Sequence, residues 1–258
     1  MNNDAYRQST LWDTWAEDFD DFNSVLDPAP AVDFLVSICP AGVFLELGIG
    51  TGRIAIELAS ENRSVHGIDV SRNLLAVLEF KKGAKKVTAS LGDMADFEVS
   101  ERFDVVYTAC SSIFHVTEQE RQLKCLQCAA RALKTGGYFI VETFMPSSAF
   151  LSPNRKIKLR SLNDTSASLT AVTTNLATQK IHYQELLLSE QGVKCLPVEQ
   201  RFIWPAELDL MATAAGLSLV DRFGSYYRAP FTQKSSHQIC VYRNLLTTLH
   251  HSISLTWQ

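Results

Sequence analysis

Val43-Phe44-Leu45-Glu46-Leu47-Gly48-Ile49-Gly50-Thr51-Gly52-Arg53 is the stretch that decides the fold. An apolar strand runs into three spaced glycines, and a helix begins near Arg53. Glycine lets the backbone turn tightly and approach a ligand with no Cβ in the way. The helix start adds unpaired N–H groups and the positive end of a dipole. A dinucleotide fingerprint, G-x-G-x-x-G, would need glycine at position 53, where this chain has Arg53. Glu46 also lies two residues before the first glycine. A carboxylate repels phosphate at short range, so an acid here suits a cationic ligand better than a pyrophosphate.

Short apolar runs alternate with helical stretches from this point on. Val43–Leu47, Val65–Ile68, Val87–Ala89, Phe103–Tyr107 and Tyr138–Thr143 read as strands, with helices over Ile54–Ser60, Arg72–Phe80 and Glu118–Lys134. That alternation indicates βαβ units and a parallel sheet. Such a sheet takes its ligand outside the carboxyl ends of its strands. After Pro146 the helix signals fade. Lys156–Arg160, Leu169–Thr174, Lys180–Leu187 and Val193–Trp204 read as antiparallel strands of a small inserted sheet. Pro205-Ala206-Glu207 starts a helix stopped by Gly216. Leu217–Arg222 and Gln238–Arg243 are the last two strands.

Upstream, Trp12, Trp15, Phe19, Phe22 and Leu26 are spaced three, four, three and four apart, one face of an amphipathic helix with room for one break. Asp27-Pro28 ends it. The expected organisation is an N-terminal helical lid over 1–30, a ligand-binding core over 31–146 and the β insertion over 147–204. A helix and two strands over 205–243 complete the sheet, and 244–258 forms a weakly helical tail.

The 258 residues carry 24 Lys plus Arg against 28 Asp plus Glu, with 46% hydrophobic residues. This is the composition of a globular chain with a sizeable core. It lacks the basic excess that supplies most nucleic-acid affinity. No apolar run reaches the roughly 20 residues of a membrane span, and Met1-Asn2-Asn3-Asp4 opens no secretory signal. A cytoplasmic enzyme is expected. Six unevenly spaced cysteines make no disulfide framework, and Cys125-x-x-Cys128 has no second pair at zinc spacing, so no metal is expected.

The glycine stretch resembles motif I, E-x-G-x-G-x-G, of the class I S-adenosylmethionine-dependent methyltransferases. The resemblance continues in order. Val65-His66-Gly67-Ile68-Asp69 is similar to the second strand, ending in the ribose-binding acid. Leu91-Gly92-Asp93-Met94 is similar to the motif that meets the adenine amine and ring. Phe103–Ala109 and Leu133–Tyr138 resemble the fourth strand and the turn into the fifth. The family implies a Rossmann-like α/β fold with a seven-stranded sheet whose last strand is antiparallel, here with the small antiparallel β insertion. It implies S-adenosyl-L-methionine as cofactor. Its site would comprise Glu46, Gly48, Gly50, Gly52, Arg53, Asp69, Val70, Gly92, Asp93, Met94, Ala109 and Cys110, with Glu46 and the Gly48 backbone at the methionine amine and Ala109 beside the sulfonium.

Phe202–Met211, Ala215-Gly216-Leu217, Gly224-Ser225-Tyr226 and Pro230-Phe231-Thr232 further resemble the C-terminal half of the cypemycin N-terminal methyltransferase group, which acts on the α-amine of linaridin-type peptides. The chain departs from that group in its N-terminal helix, its Cys110-Ser111-Ser112 loop and its tail. The D/N-P-P-Y motif frequent in base-amine methyltransferases is absent after the fourth strand. The expected acceptor is a small molecule or peptide, with nitrogen ahead of oxygen, in specialised metabolism. A hydroxyl acceptor calls for a base, whereas a neutral amine attacks directly. His115 is the candidate base, set against a histidine that merely packs. Trp12, Trp15, Phe114, Tyr226, Tyr227 and Arg228 are pocket candidates, set against plain packing. The contrasting function is a cofactor-binding scaffold that works through a partner protein without transferring methyl.

Overall fold

A computed structural model describes residues 3–146 and 156–245. Its frame is a seven-stranded sheet built from β1 (Gly42–Leu47), β2 (Arg63–Asp69), β3 (Val87–Leu91), β4 (Phe103–Thr108), β5 (Leu133–Phe144), β10 (Leu217–Phe223) and β11 (His237–Asn244). The spatial order is β10-β11-β5-β4-β1-β2-β3. β1 pairs in parallel with both β2 and β4, while β11 runs antiparallel between β5 and β10. The expected antiparallel last strand is therefore present. A separate four-stranded antiparallel meander holds β6 (Lys156–Leu162), β7 (Ser166–Asn175), β8 (Lys180–Ser189) and β9 (Gly192–Arg201).

Residues of β1 alternate between the two faces of the sheet, as the strand period requires. Phe44 joins Val105, Tyr107 and Ile140 against α3 (Ala29–Ile38) and α4 (Ala55–Leu58). Leu45 and Leu47 join Val106, Phe139 and Val141 against α6 (Gln119–Ala132) and α7 (Pro205–Ala214). Two apolar layers thus clamp the sheet, and the loops at the carboxyl ends of β1, β2, β3 and β4 are held on rigid strands. α5 (Arg72–Glu79) follows β2, with Ser71 capping it by accepting the Leu74 N–H at 3.1 Å.

The N-terminal stripe forms α1 (Asn3–Trp15) and α2 (Phe19–Asn23), so the expected break falls after Trp15. α3 is an element the periodicity reading passed over. Asp27-Pro28 reads as a stop there, yet Pro28 and Pro30 both sit at the start of the next helix, where a missing N–H costs nothing. Trp15 is buried under β9, its indole N–H donating to the Pro197 carbonyl at 3.0 Å. Leu196, Val198, Phe22 and Tyr183 pack around it, which seats the meander on the N-terminal helices. Residues 147–155 of the insertion and 246–258 of the tail lie outside the described residues, so the expected helical tail does too. No helix among the described residues is long and apolar enough to cross a membrane.

Candidate active site

The glycine turn folds back onto the tip of β2. Gly48 and Ile49 donate their N–H groups to the Ile68 carbonyl at 2.8 and 3.1 Å. The Gly50 N–H then reaches Asp69 Oδ2 at 2.7 Å, and the Ser71 N–H meets Oδ1 at 2.9 Å. Gly48 and Gly50 have φ of 80° and 54°, a region that L side chains rarely adopt. A Cβ on Gly48 would stand 2.9 Å from the Ser112 Cβ. The turn therefore leaves bare backbone facing the cavity.

Two acids sit beneath it. Glu46 is buried, and burial lifts its carboxyl to about 8 despite the Tyr107 hydroxyl that donates to Oε2 at 2.9 Å. Burial also lifts Asp69, to about 6, against the opposing pull of its backbone N–H partners. Both await a positive partner more than a negative one.

The N-terminal helices roof this floor. Asp13 of α1 accepts from the Ser71 hydroxyl at 2.6 Å and from the Asn73 N–H at 3.1 Å. Asp4 pairs with Arg121 at 2.6 Å, and the other arm of the same guanidinium binds Asp93. Asp20 receives the Thr51 hydroxyl at 2.7 Å, and Phe19 lies over Gly50. The cavity so enclosed, about 190 Å³, is lined on the strand side by Gly48, Gly50, Asp69, Val70, Gly92, Asp93, Met94 and Cys110. Gln8, Trp12, Trp15, Phe19, Phe22, His115 and Tyr183 line the roof and sides.

A methyltransferase-domain family profile matches residues 44–137, the segment that carries all of these strand tips. The chain is 30% identical over 236 residues to a cypemycin N-terminal methyltransferase from a Streptomyces species, covering 89% of this chain and 95% of that one. This chain belongs to the class I S-adenosylmethionine-dependent methyltransferases. Among solved structures, the CcbJ methyltransferase of Streptomyces caelestis superposes with a TM-score of 0.87 at 31% identity, over 93% of this chain and 99% of that one. An S-adenosylmethionine-dependent methyltransferase from Clostridium acetobutylicum superposes with a TM-score of 0.77 at 15% identity, over 89% and 97%, a likeness of fold.

Other expected site residues of the methyltransferase fall away from the cavity wall. Gly52 packs against α5, where a Cβ would meet Leu78 at 2.3 Å. Arg53 reaches back from the glycine turn, one arm on the Leu26 carbonyl at 3.0 Å and the other 2.7 Å from Cys110 Sγ. Ala109 is buried just before that cysteine. Phe114 is a correction: its ring is fully buried, edge-on to Phe144 at 5.1 Å, because the turn after Cys110 points it into the core. Arg228 is another, its guanidinium bonded to the Ser37 hydroxyl at 2.8 Å and lying over Phe34. Tyr227 is 80% exposed on the far side of that loop. Tyr226 packs on Phe34 at 5.7 Å, and burial, with the Glu142 carboxyl nearby, holds its hydroxyl protonated.

His115 does line the cavity, edge-on to Trp12 at 4.6 Å. Its Nδ1 is 3.3 Å from the Glu199 carbonyl, and its Nε2 is 3.1 Å from the Gln200 amide nitrogen. A carbonyl only accepts, so Nδ1 carries the proton and Nε2 accepts from Gln200. Burial holds the ring neutral down to about pH 4.

Four residues that matter here were absent from the sequence reading. Gln8, Asp4 and Arg121 join the wall only through folding. Glu142, an acid in the middle of an apolar strand as Glu46 is, left a legible signal. It is buried and accepts the Cys110 N–H. Cys110 and Ser111 both have positive φ, 51° and 59°, an uncommon conformation for non-glycine residues. The Glu142 carboxylate is what holds that turn.

Proposed function

We propose that this methyltransferase transfers a methyl group to an amine of a small-molecule or peptide acceptor in specialised metabolism. The observation that carries this reading is the charge of the cavity. Asp4, Asp69 and Asp93 stand on its wall against one cation among the described residues, Arg121, which two of those acids already engage. Trp12, Trp15, Phe19, Phe22 and Tyr183 supply the remaining surface, and aromatic faces attract cations. Such a chamber concentrates a cationic cofactor and an amine together.

The same features fit S-adenosylmethionine. Bare backbone at Gly48 and Gly50 would receive its methionine part, and Glu46, buried behind that turn rather than on the cavity wall, would pair with the amine. Asp69 would accept from the ribose hydroxyls, and Asp93 and Met94 would meet the adenine. The bound cofactor supplies a methyl group already activated on a sulfonium, so the protein has chiefly to align the acceptor. His115 serves as wall rather than base, because its lone pair is engaged and its basicity is low. The acidic wall attracts the amine as its ammonium, which gives a proton to water to free the lone pair that attacks, and no positioned base is needed for that, whereas a hydroxyl would require one. The name of the cypemycin relative, an N-terminal methyltransferase, agrees with an amine.

The test is transfer of radiolabelled methyl to paired acceptors. Short peptides with a free α-amine and small amines are assayed beside their N-acetylated and hydroxyl analogues. Label on the amines, abolished by acetylation, is expected. Label only on hydroxyl compounds, or none on any acceptor despite cofactor binding, would overturn the reading.

A further inference from the structure

Gln8 is 4% exposed and lines the cavity, yet among the described residues neither its Oε1 nor its Nε2 has a hydrogen-bond partner. Two unmet polar atoms on one buried side chain are costly, and native interiors rarely keep them without a use. The placement of α1 says what that use is. One end of the helix is tied through Asp4 and Arg121 to Asp93, at the tip of β3. The other end is tied through Asp13 to Ser71 and Asn73, just beyond the tip of β2. At 1.5 Å per residue, Gln8 lies roughly 6 Å along the helix from the first anchor and roughly 7.5 Å from the second. It therefore stands above the floor between Asp93-Met94 and Asp69-Val70.

On the proposed assignment of the cofactor site, on which this inference rests, that floor carries the adenosine. We infer that Gln8 reads the Hoogsteen edge of the cofactor's adenine, Oε1 accepting from the 6-amino group and Nε2 donating to N7. A carboxamide is the side chain whose donor and acceptor match that pair. The 6-amino group has two hydrogens, so Asp93 and Gln8 can each take one. N7 needs a donor, and the nearby guanidinium arms of Arg121 are already engaged by Asp4 and Asp93. The roof helix thereby becomes part of cofactor recognition.

Binding of S-adenosylhomocysteine and of its 7-deaza analogue, which has C–H in place of N7, is measured by calorimetry. Wild type and Gln8→Leu are compared, with Gln8→Met as a second variant. Wild type should bind the 7-deaza compound about tenfold more weakly than S-adenosylhomocysteine, the ratio that about 1.4 kcal/mol of lost pairing produces. Gln8→Leu should bind both compounds alike, near the weaker value. Its ligand-free melting temperature should rise by about 2–4 °C, since two unmet polar atoms are removed. A 7-deaza penalty that persists undiminished in both variants would overturn the inference, as would wild-type affinity of Gln8→Leu for S-adenosylhomocysteine. In the latter case Gln8 would face the acceptor instead, and the variant would change the acceptor KM alone. Failure of wild type to bind S-adenosylhomocysteine at all would instead strike the cofactor-site assignment itself.

Discussion

Glu46 and Tyr107 are register partners on adjacent parallel strands, and the tyrosine hydroxyl donates to the glutamate at 2.9 Å. Partners in a parallel pair put their side chains on one face, so the strand pairing itself positions the acid beneath the glycine turn. Burial holds Glu46 at about 8, which means it is mostly protonated at neutral pH until a cation arrives.

Pairing Glu46 with the cofactor's ammonium should lower its pKa and expel a proton at pH 7. Cofactor affinity should rise between pH 6 and pH 8, and the binding heat at pH 7 should vary with the ionisation enthalpy of the buffer. Tyr107→Phe removes the donor that favours the carboxylate, so the affinity midpoint should move to higher pH. Binding heats independent of buffer would contradict the assignment.

Stability should follow the opposite sign. Glu46, at about 8, and Glu142, at about 7, are raised above the usual carboxylate range by burial. The unfolded chain loses these protons first, so the ligand-free protein should weaken as pH rises from 6.5 to 8. His115, depressed to about 4, opposes the trend by only about 0.4 kcal/mol, because the unfolded imidazole is half protonated at pH 6.5 and neutral by pH 8. The expected loss from Glu46 alone is about 1–2 kcal/mol, read from urea unfolding at the two pH values. A flat profile would argue against a buried neutral Glu46.

Asp69 accepts from Gly50 and Ser71 and faces the cavity. Asp69→Ala should weaken cofactor binding by about 1.5–3 kcal/mol, the value of a hydrogen bond to a charged group. Asp69→Asn, which keeps one acceptor, should fall between. Unchanged affinity in both variants would remove Asp69 from the ribose site.

His115 has its nitrogens committed to Glu199 and Gln200. On any amine that wild type methylates, His115→Asn should lower turnover by less than tenfold. The turnover–pH profile should show no histidine limb between pH 5.5 and 7.5. A general base would contribute 10²–10⁴-fold, so a loss of that size, together with such a limb, would restore it to the chemistry.

Glu142 holds the Cys110–Ser111 turn by its backbone N–H groups. Glu142→Ala should cost about 1–3 kcal/mol of stability, because buried N–H groups lose their acceptor. Glu142→Gln should recover part of that loss. Equal stability of all three proteins in urea would show that the turn stands without this residue.

The alternation of strand and helix, the glycine turn and the acids at the strand tips were legible in the chain alone. Each is a local matter: period two against period 3.6, positive φ at Gly48 and Gly50, and one carboxylate at the end of an apolar run. A rim loop does not reveal where its side chains point, and so Phe114, Tyr227 and Arg228 turned out to face the core, the solvent and α3. Pro28 read as an ending because proline marks helix starts and stops alike. Only the tertiary structure brought Asp4, Arg121 and Asp93 into one ion-pair network and set Gln8 above the strand tips. Asp4 and Arg121 stand 117 positions apart. No local propensity links residues at that separation, and their meeting is decided by how α1 packs across the finished sheet.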